Sequence, residues 1–260
     1  MTALPPASRA RRAVRASLPV ALCAGLTAAL TACAEEPDPD RGTNGVGKLS
    51  ASEIEAKAQA AADASKAVRL SGTLVSKGGT YKLNMRLKDT GATGSVVTRT
   101  TTFELLRVGD ALFLKADADF WTHAESTSGN EPTESGEQAA DKLDDKYVKV
   151  PQDDPSYKQL RGFTEMNVLL DGLLELHGEV VKGDRDKIGG IRTIKVAGGR
   201  QGEGGTLDVS LEGTPYPLQF ARGGGGGVVA LSDWNEDFPL REPTQGETVD
   251  YGRQLPRTSD

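Results

Sequence analysis

Residues 81–88 read Tyr-Lys-Leu-Asn-Met-Arg-Leu-Lys, an alternation of apolar and polar side chains that continues through the whole stretch. Successive side chains of a β-strand point to opposite faces of the sheet, so this period of two predicts a strand with one buried and one solvated face. Strands of this kind are typical of antiparallel sheets. The stretch therefore predicts an antiparallel sheet that covers a hydrophobic core.

Similar strand patterns, each a short apolar or alternating run, occur on both sides of residues 81–88. They cover residues 68–74, 94–99, 103–108, 111–115, 178–182, 191–197, 206–211, 217–222 and 228–234. Helical spacing is found in 52–66, which begins with Ser52 and Glu55 placed as in a capping box, and in 155–160 and 166–176. These elements predict an α+β domain with one large, curved antiparallel sheet of about ten strands.

The N-terminus has the pattern of an export signal. Four arginines lie within the first fifteen residues, and an uncharged run follows from Leu18 to Ala32. As a helix this run would span about 22 Å, less than the roughly 30 Å of a bilayer core. We therefore expect residues 1–32 to be a cleaved signal peptide.

The signal ends in Leu30-Thr31-Ala32-Cys33, which resembles the lipobox of bacterial lipoproteins. The resemblance implies cleavage between Ala32 and Cys33 and a diacylglyceryl group on the Cys33 thiol, which would anchor the chain to the outer face of the cell membrane. Cys23 would leave with the signal, so Cys33 has no cysteine with which to pair. The alternative is an ordinary secretory signal that happens to contain a cysteine.

The exported chain is acidic. Removing residues 1–32 leaves 27 basic and 37 acidic residues, a formal net charge of −10. Such a chain repels phosphate backbones and anionic head groups, which argues against nucleic acid as a partner and against broad electrostatic adhesion to a membrane. Composition predicts a flexible tether over 33–49, a single domain over 50–240 and a loose C-terminal tail over 241–260.

Short phrases within the domain resemble actinobacterial lipoproteins of the LppX and LprG type, which are in turn similar to the lipoprotein carriers LolA and LolB. The phrases are Ser71-Gly72-Thr73-Leu74, residues 108–115, residues 146–151 and Asp233-Trp234-Asn235. The resemblance implies an unclosed half-barrel whose concave face is covered by helices and encloses a cavity for acyl chains. It implies no cofactor.

The inward positions of the predicted strands and the helix over 166–176 are the candidates for the lining of such a cavity. They are Leu70, Leu74, Tyr81, Leu83, Met85, Leu87, Met166, Leu170, Leu207, Val209, Leu211 and Phe220. An apolar cavity of this kind suits a lipid or glycolipid ligand. The alternative is that these side chains pack on one another as an ordinary core.

Other motifs do not indicate a chemical site. The five glycines 223–227 lack the Lys-Ser or Lys-Thr of a phosphate loop and fit a connection between two strands. Asp233, Asn235 and Asp237 have calcium-loop spacing, but the glycine and the final glutamate of that motif are missing. His123 and His177 are far apart in the sequence, so we predict no metal site.

Three functions remain open at this stage. The first is a membrane-anchored, extracytoplasmic lipoprotein that binds or carries a hydrophobic molecule. The second is an envelope lipoprotein with a filled core that acts by binding a protein partner. The third is an enzyme, but the sequence contains no nucleophile elbow and no His-Glu-x-x-His motif, so we predict that the chain is not one.

Overall fold

The structure is a computed structural model and describes residues 38–76, 79–121 and 140–249. The strands in these ranges are β1 Ala67–Ser76, β2 Gly79–Lys88, β3 Gly91–Val97, β4 Thr102–Val108, β5 Ala111–Ala116, β6 Lys146–Lys149, β7 Val180–Ile188, β8 Ile191–Gly198, β9 Thr206–Ser210, β10 Pro217–Ala221, β11 Gly227–Ser232 and β12 Thr248–Val249. The helices are α1 Ala51–Asp63, α2 Pro155–Gly162 and α3 Met166–Leu174. Residues 118–121 and 140–143 are also helical.

All twelve strands belong to one sheet, in the order β12-β6-β5-β4-β3-β2-β1-β11-β10-β9-β8-β7. Neighbouring strands are antiparallel except for the parallel pair β12 and β6. The sheet has two free edges, β7 and β12, so it does not close into a barrel. The predicted α+β half-barrel is confirmed, but its strand number is twelve rather than about ten, because β6 and β12 were not predicted.

The two faces of the sheet differ as the alternation predicts. Leu83, Met85 and Leu87 of β2 are buried on the inner, concave face, which packs against the helices, while Asn84 and Arg86 point outward and are exposed. Register carries this division across the sheet, because side chains paired between neighbouring strands lie on the same face. Met85, for example, is paired with Leu70 of β1 and with Gly94 of β3.

The segment before α1 differs from the predicted flexible tether. The Asn44 amide donates to the Leu211 carbonyl at 2.8 Å, Arg185 forms an ion pair with Asp40 at 2.6 Å, and Lys182 donates to the Gly47 carbonyl at 3.1 Å. Residues 40–49 therefore belong to the folded domain. Their partners lie more than 130 positions away in the chain, so local composition does not reveal these contacts.

Helix α1 begins earlier than predicted. Its capping box is formed by Ser50 and Glu53, not by Ser52 and Glu55: the Ser50 amide donates to Glu53 Oε2 at 2.9 Å, and the Glu53 amide donates to Ser50 Oγ at 3.4 Å. These hydrogen bonds hold the pKa of Glu53 below its ordinary value. Both pairs have the same spacing, so the pattern alone could not distinguish them.

The end of the predicted domain and the first residues of the predicted tail both contact the sheet. Phe238 is buried, and the Lys88 ammonium lies 4.9 Å from its ring centroid and donates to its carbonyl at 2.6 Å. The chain then continues to β12, which pairs with β6 at Thr248 and Val249. This pairing covers backbone N–H and C=O groups on one side of β6, which could otherwise hydrogen-bond to a strand of another chain. Residues 250–260 of the predicted tail lie outside the described residues.

Candidate functional site

The predicted cavity-lining residues come together on the inner face of the sheet. All but one are buried in a single hydrophobic cluster, and Tyr81 is half-buried and packs against that cluster. The buried residues are Leu70, Leu74, Leu83, Met85, Leu87, Met166, Leu170, Leu207, Val209, Leu211 and Phe220. The structure thus unites strands from both halves of the sheet with α3 around one apolar region.

The apolar inner face extends beyond the predicted residues. Side chains from β3, β4, β5, β6, β8 and β11 continue it in register on both sides of β1 and β2. They include Ala92, Val96, Leu105, Leu112, Leu114, Val148, Ile194, Val196, Val229 and Leu231, all of them buried. The alternation of apolar and polar residues that predicted the inward positions of β2 could also have predicted most of these residues as inward-facing.

Two groups of helices cover this face. Helix α1 packs over β7 to β10 and contributes Ile54, Ala58 and Ala62 to the cluster. Helix α3 contributes Met166 and Leu170 together with Leu173 and Leu174. Leu70, Met85 and Leu87 have no exposed surface at all, so the sheet and helices are in close contact over the centre of the inner face.

A buried arginine holds the second group of helices on the sheet. We call α2, α3 and the linker 163–165 between them the cover. Arg107 of β4 donates from Nε and Nη2 to the Thr164 carbonyl, at 3.2 and 2.8 Å, and from Nη1 to the Gly109 carbonyl at 2.8 Å. The linker is therefore attached to the end of β4 through the guanidinium group.

The charge of Arg107 is balanced only at a distance. Its hydrogen-bond acceptors are backbone carbonyls, and burial lowers its pKa, an effect that the nearby Glu165 opposes. Glu165 itself is paired with Arg161 at 2.6 Å, and the Tyr157 hydroxyl donates to the Asp110 carbonyl at 2.8 Å. Alternation with Phe103 and Leu105 places Arg107 on the inner face, but no sequence signal marks the backbone carbonyls that it bonds.

An unusual carboxylate lies on the opposite, outer face of the sheet. Asp208 of β9 is 2% exposed, and its nearest counter-ion, Lys195 Nζ, is 3.8 Å from Oδ1. Burial raises the pKa of Asp208 above its ordinary value of 3.8, and Lys195 offsets only part of that rise. Because the folded state binds this proton more tightly than the unfolded state, ionised Asp208 lowers stability as the pH rises through its folded pKa.

We therefore expect Asp208→Asn to stabilise the protein at pH 7 by on the order of 1 kcal/mol. The gain should shrink as the pH falls through the raised pKa of Asp208, because the wild-type carboxyl group then becomes protonated. Urea unfolding at pH 4, 5.5 and 7 would measure the difference between the two proteins. A difference that does not change with pH would show that Asp208 ionisation does not affect stability.

The other motifs have structural roles where the structure describes them. Asp233 lies 3.8 Å from both Arg69 and Arg86, and Asp237 is paired with Lys88 at 2.6 Å. The two carboxylates with calcium-loop spacing therefore form ion pairs with basic side chains. Residues 38–76, 79–121 and 140–249 contain no group of three or more His, Cys, Asp or Glu placed to hold a metal ion. The glycines 223–227 connect β10 to β11, as predicted.

Several predictions concern residues that the structure does not describe. They are the signal peptide 1–32 with Ala32, the lipidation of Cys33, and His123. His177 lies three residues beyond the end of α3, where its backbone amide donates to the Gly204 carbonyl at 3.0 Å. Among the described residues, no helix has the length and hydropathy needed to cross a bilayer.

Comparison with known proteins gives a match at the level of fold. The sequence matches no protein-family profile and no curated protein. LprF from Mycobacterium bovis superposes with a TM-score of 0.50 at 14% identity, over 74% of this chain and 96% of LprF. The Mycobacterium tuberculosis lipoprotein LppX superposes with a TM-score of 0.44 at 13% identity, over 72% of this chain and 98% of LppX. The likeness to LprF is one of fold, and it confirms the fold that the sequence phrases predicted.

Proposed function

We propose that the protein is a membrane-anchored, extracytoplasmic lipoprotein that binds or carries a lipid or another hydrophobic molecule between the inner face of its sheet and its helices. The observation that carries this proposal is the apolar inner face, which runs from β6 to β8 and is covered by short helices rather than by a second sheet. The half-barrel fold shared with LprF supports it. The proposal assigns no catalytic reaction to the chain.

The proposed anchor is a diacylglyceryl group on Cys33, added before cleavage after Ala32. Two acyl chains meet the requirement for stable membrane anchoring, which a single chain does not. The resulting location is the outer face of the cell membrane. Asp40, which pairs with Arg185 of the domain, follows Cys33 by only seven residues in the sequence.

Binding of an acyl chain requires the cover to separate from the sheet, because the centre of the inner face is closely packed. The cover is suited to such a movement. Helices α2 and α3 are only 8 and 9 residues long, and the guanidinium of Arg107 attaches the linker between them to the sheet. An acyl chain would take the place of Met166 and Leu170 in the apolar cluster, at little cost in apolar burial.

Leu83→Trp tests this proposal. Leu83 is 1% exposed on the inner face, so the larger indole should fill space that an acyl chain would use. We expect roughly a tenfold loss of co-purifying lipid and a cost of about 1–3 kcal/mol in stability from overpacking. The measurement is native mass spectrometry with lipid extraction on a Cys33→Ala domain made without detergent in an actinobacterial host, so that any lipid detected is bound rather than attached.

The matched control is Asn84→Trp, the next residue of β2. Asn84 is exposed on the outer face, so the same indole there should change neither the bound lipid nor the stability appreciably. A Cys33→Ala domain that carries no lipid and takes up none when envelope lipids are offered would contradict lipid binding. Equal loss of lipid in both variants would exclude the inner face as the binding site.

The alternative function is binding of an envelope protein by a half-barrel with a filled core. The complete burial of Leu70, Met85 and Leu87 favours it, since a filled core needs no ligand. It predicts a lipid-free domain that crosslinks to one partner in the intact envelope. The same mass measurement therefore separates the two functions.

A further inference from the structure

Three two-residue hairpin turns lie together at one end of the sheet. They connect β2 to β3 through Asp89-Thr90, β4 to β5 through Gly109-Asp110, and β7 to β8 through Gly189-Gly190. The antiparallel register through β1, β11, β10 and β9 places all three at the same end, which we call the hairpin rim. The opposite end carries the β10–β11 connection around Gly224.

The chain from Cys33 reaches the domain along the β7–β8 hairpin, where Asp40 pairs with Arg185 at 2.6 Å. Arg192, near the start of β8, donates to the carbonyls of Arg41 and Gly42 at 3.2 and 2.7 Å. Cys33 precedes Asp40 by seven residues, which can span at most about 25 Å when fully extended. An anchor on Cys33 therefore holds Asp40, and the β7–β8 hairpin that it contacts, within about 25 Å of the membrane surface.

The tip of the β7–β8 hairpin has the chemistry of a membrane contact. Ile188 and Ile191 face each other across the two glycines, and Ile191 is 37% exposed. Lys187 and Arg192 form the next pair along the hairpin. Two cations directly opposite each other are unfavourable in a sheet, and Glu212, which accepts from Arg192 Nε at 3.0 Å, offsets only part of that repulsion.

The other two turns of the rim lack these features. Each carries an aspartate, Asp89 or Asp110, in the turn itself, whereas the β7–β8 turn has no side chain there. A carboxylate is repelled by anionic head groups, while an apolar tip backed by cations can enter the boundary between head groups and acyl chains. Of the three hairpins, only the β7–β8 hairpin therefore has a tip suited to contact a membrane.

We propose that the β7–β8 hairpin tip inserts into the membrane that holds the Cys33 anchor. Ile188 and Ile191 enter the boundary of the acyl chains, and Lys187 pairs with a lipid phosphate, while Arg192 stays bonded to Glu212 and to the carbonyls of Arg41 and Gly42. This inference rests on the proposed lipidation of Cys33. A small local contact is compatible with a strongly acidic domain.

Labels at matched glycines test the contact. Gly190, Gly109 and Gly224 all have positive φ angles, of 86, 58 and 66°, and a side chain built at any of them meets nothing within 4 Å. We would place a cysteine at each in turn in the full lipidated chain, attach an environment-sensitive fluorophore, and reconstitute the protein in phosphatidylglycerol and phosphatidylethanolamine vesicles. Quenching by acrylamide from the aqueous phase should be roughly threefold weaker at Gly190 than at the other two positions.

Replacing both Ile188 and Ile191 by Ser should raise quenching at Gly190 to the level of Gly224, while the chain stays on the vesicles through Cys33. Equal quenching at Gly190 and Gly224 in the parent chain would overturn the proposal. Equal protection at Gly190 and Gly109 would also overturn it, since the whole rim would then lie on the membrane. A purified chain whose mass lacks diacylglycerol would refute the anchor and this contact together, whereas a lipid-free domain interior would refute only the lipid-binding function.

Discussion

Gly94→Val is expected to destabilise the protein by about 3 kcal/mol or more. Gly94 lies on the inner face of β3, with a φ angle of +157°, and a Cβ there would collide with the Asn84 carbonyl and would lie 2.7 Å from both Met85 Cα and Met85 Sδ. The clash with backbone atoms forces β2 and β3 apart in the middle of the sheet. Urea unfolding at neutral pH would measure the loss in the free energy of unfolding. Strand preference scales predict a gain in stability instead, because valine is favoured over glycine in strands.

Thr93→Val is the control for this substitution. Thr93 precedes Gly94 in β3, lies on the outer face and is half-buried, so the same new residue should change stability by no more than about 0.5 kcal/mol. If Gly94→Val were as stable as Thr93→Val, the close approach of the two strands at Met85 would be wrong. Chain entropy cannot produce the expected loss, because valine restricts the unfolded chain more than glycine does.

Most of the sheet was predictable because its pattern is local. The alternation in 81–88 and in the other predicted strands follows from one face being buried and the other solvated, and each segment carries that pattern on its own. The two missed strands, β6 and β12, have four and two residues. Segments this short contain too few alternations to be distinguished from loop sequence.

The ends of the domain could not be predicted, because their contacts are distant in sequence. Asn44 bonds to Leu211, and Thr248 and Val249 pair with Tyr147 and Val148 of β6. Residues 40–49 and 241–249 are polar or contain proline and glycine, so composition indicates flexible chain there. These residues are held by hydrogen bonds to strand ends and to the edge of β6. Those partners are in place only after the sheet has formed.

The apolar cluster of the candidate site was predictable from the sequence, whereas its polar group around Arg107 was not. The lining residues follow from strand alternation and helical spacing, and they do lie in one cluster. Arg107 was overlooked because a charged residue in a strand is ordinarily assigned to the outer face. Its acceptor, the Thr164 carbonyl, is 57 positions away, and no sequence signal marks a backbone acceptor.

Arg107→Met should release the cover from the sheet. Methionine keeps much of the buried apolar stem, but it leaves the carbonyls of Thr164 and Gly109 without their donors in a buried region. Such a loss costs roughly 2–3 kcal/mol. Local opening of the cover depends directly on these bonds, so hydrogen exchange of the α2 and α3 amides should accelerate by roughly thirtyfold while exchange in β1 and β2 changes much less.

Arg161→Met is the control within the cover. Arg161 bonds to Glu165 at 2.6 Å, but its side chain is 36% exposed, so its loss should cost no more than about 0.5 kcal/mol. Exchange that accelerates equally in α3 and in β1 of Arg107→Met would mean that Arg107 supports the whole core and does not specifically hold the cover. A selective acceleration would instead establish that the cover opens separately from the sheet, which is the movement that lipid binding between them requires.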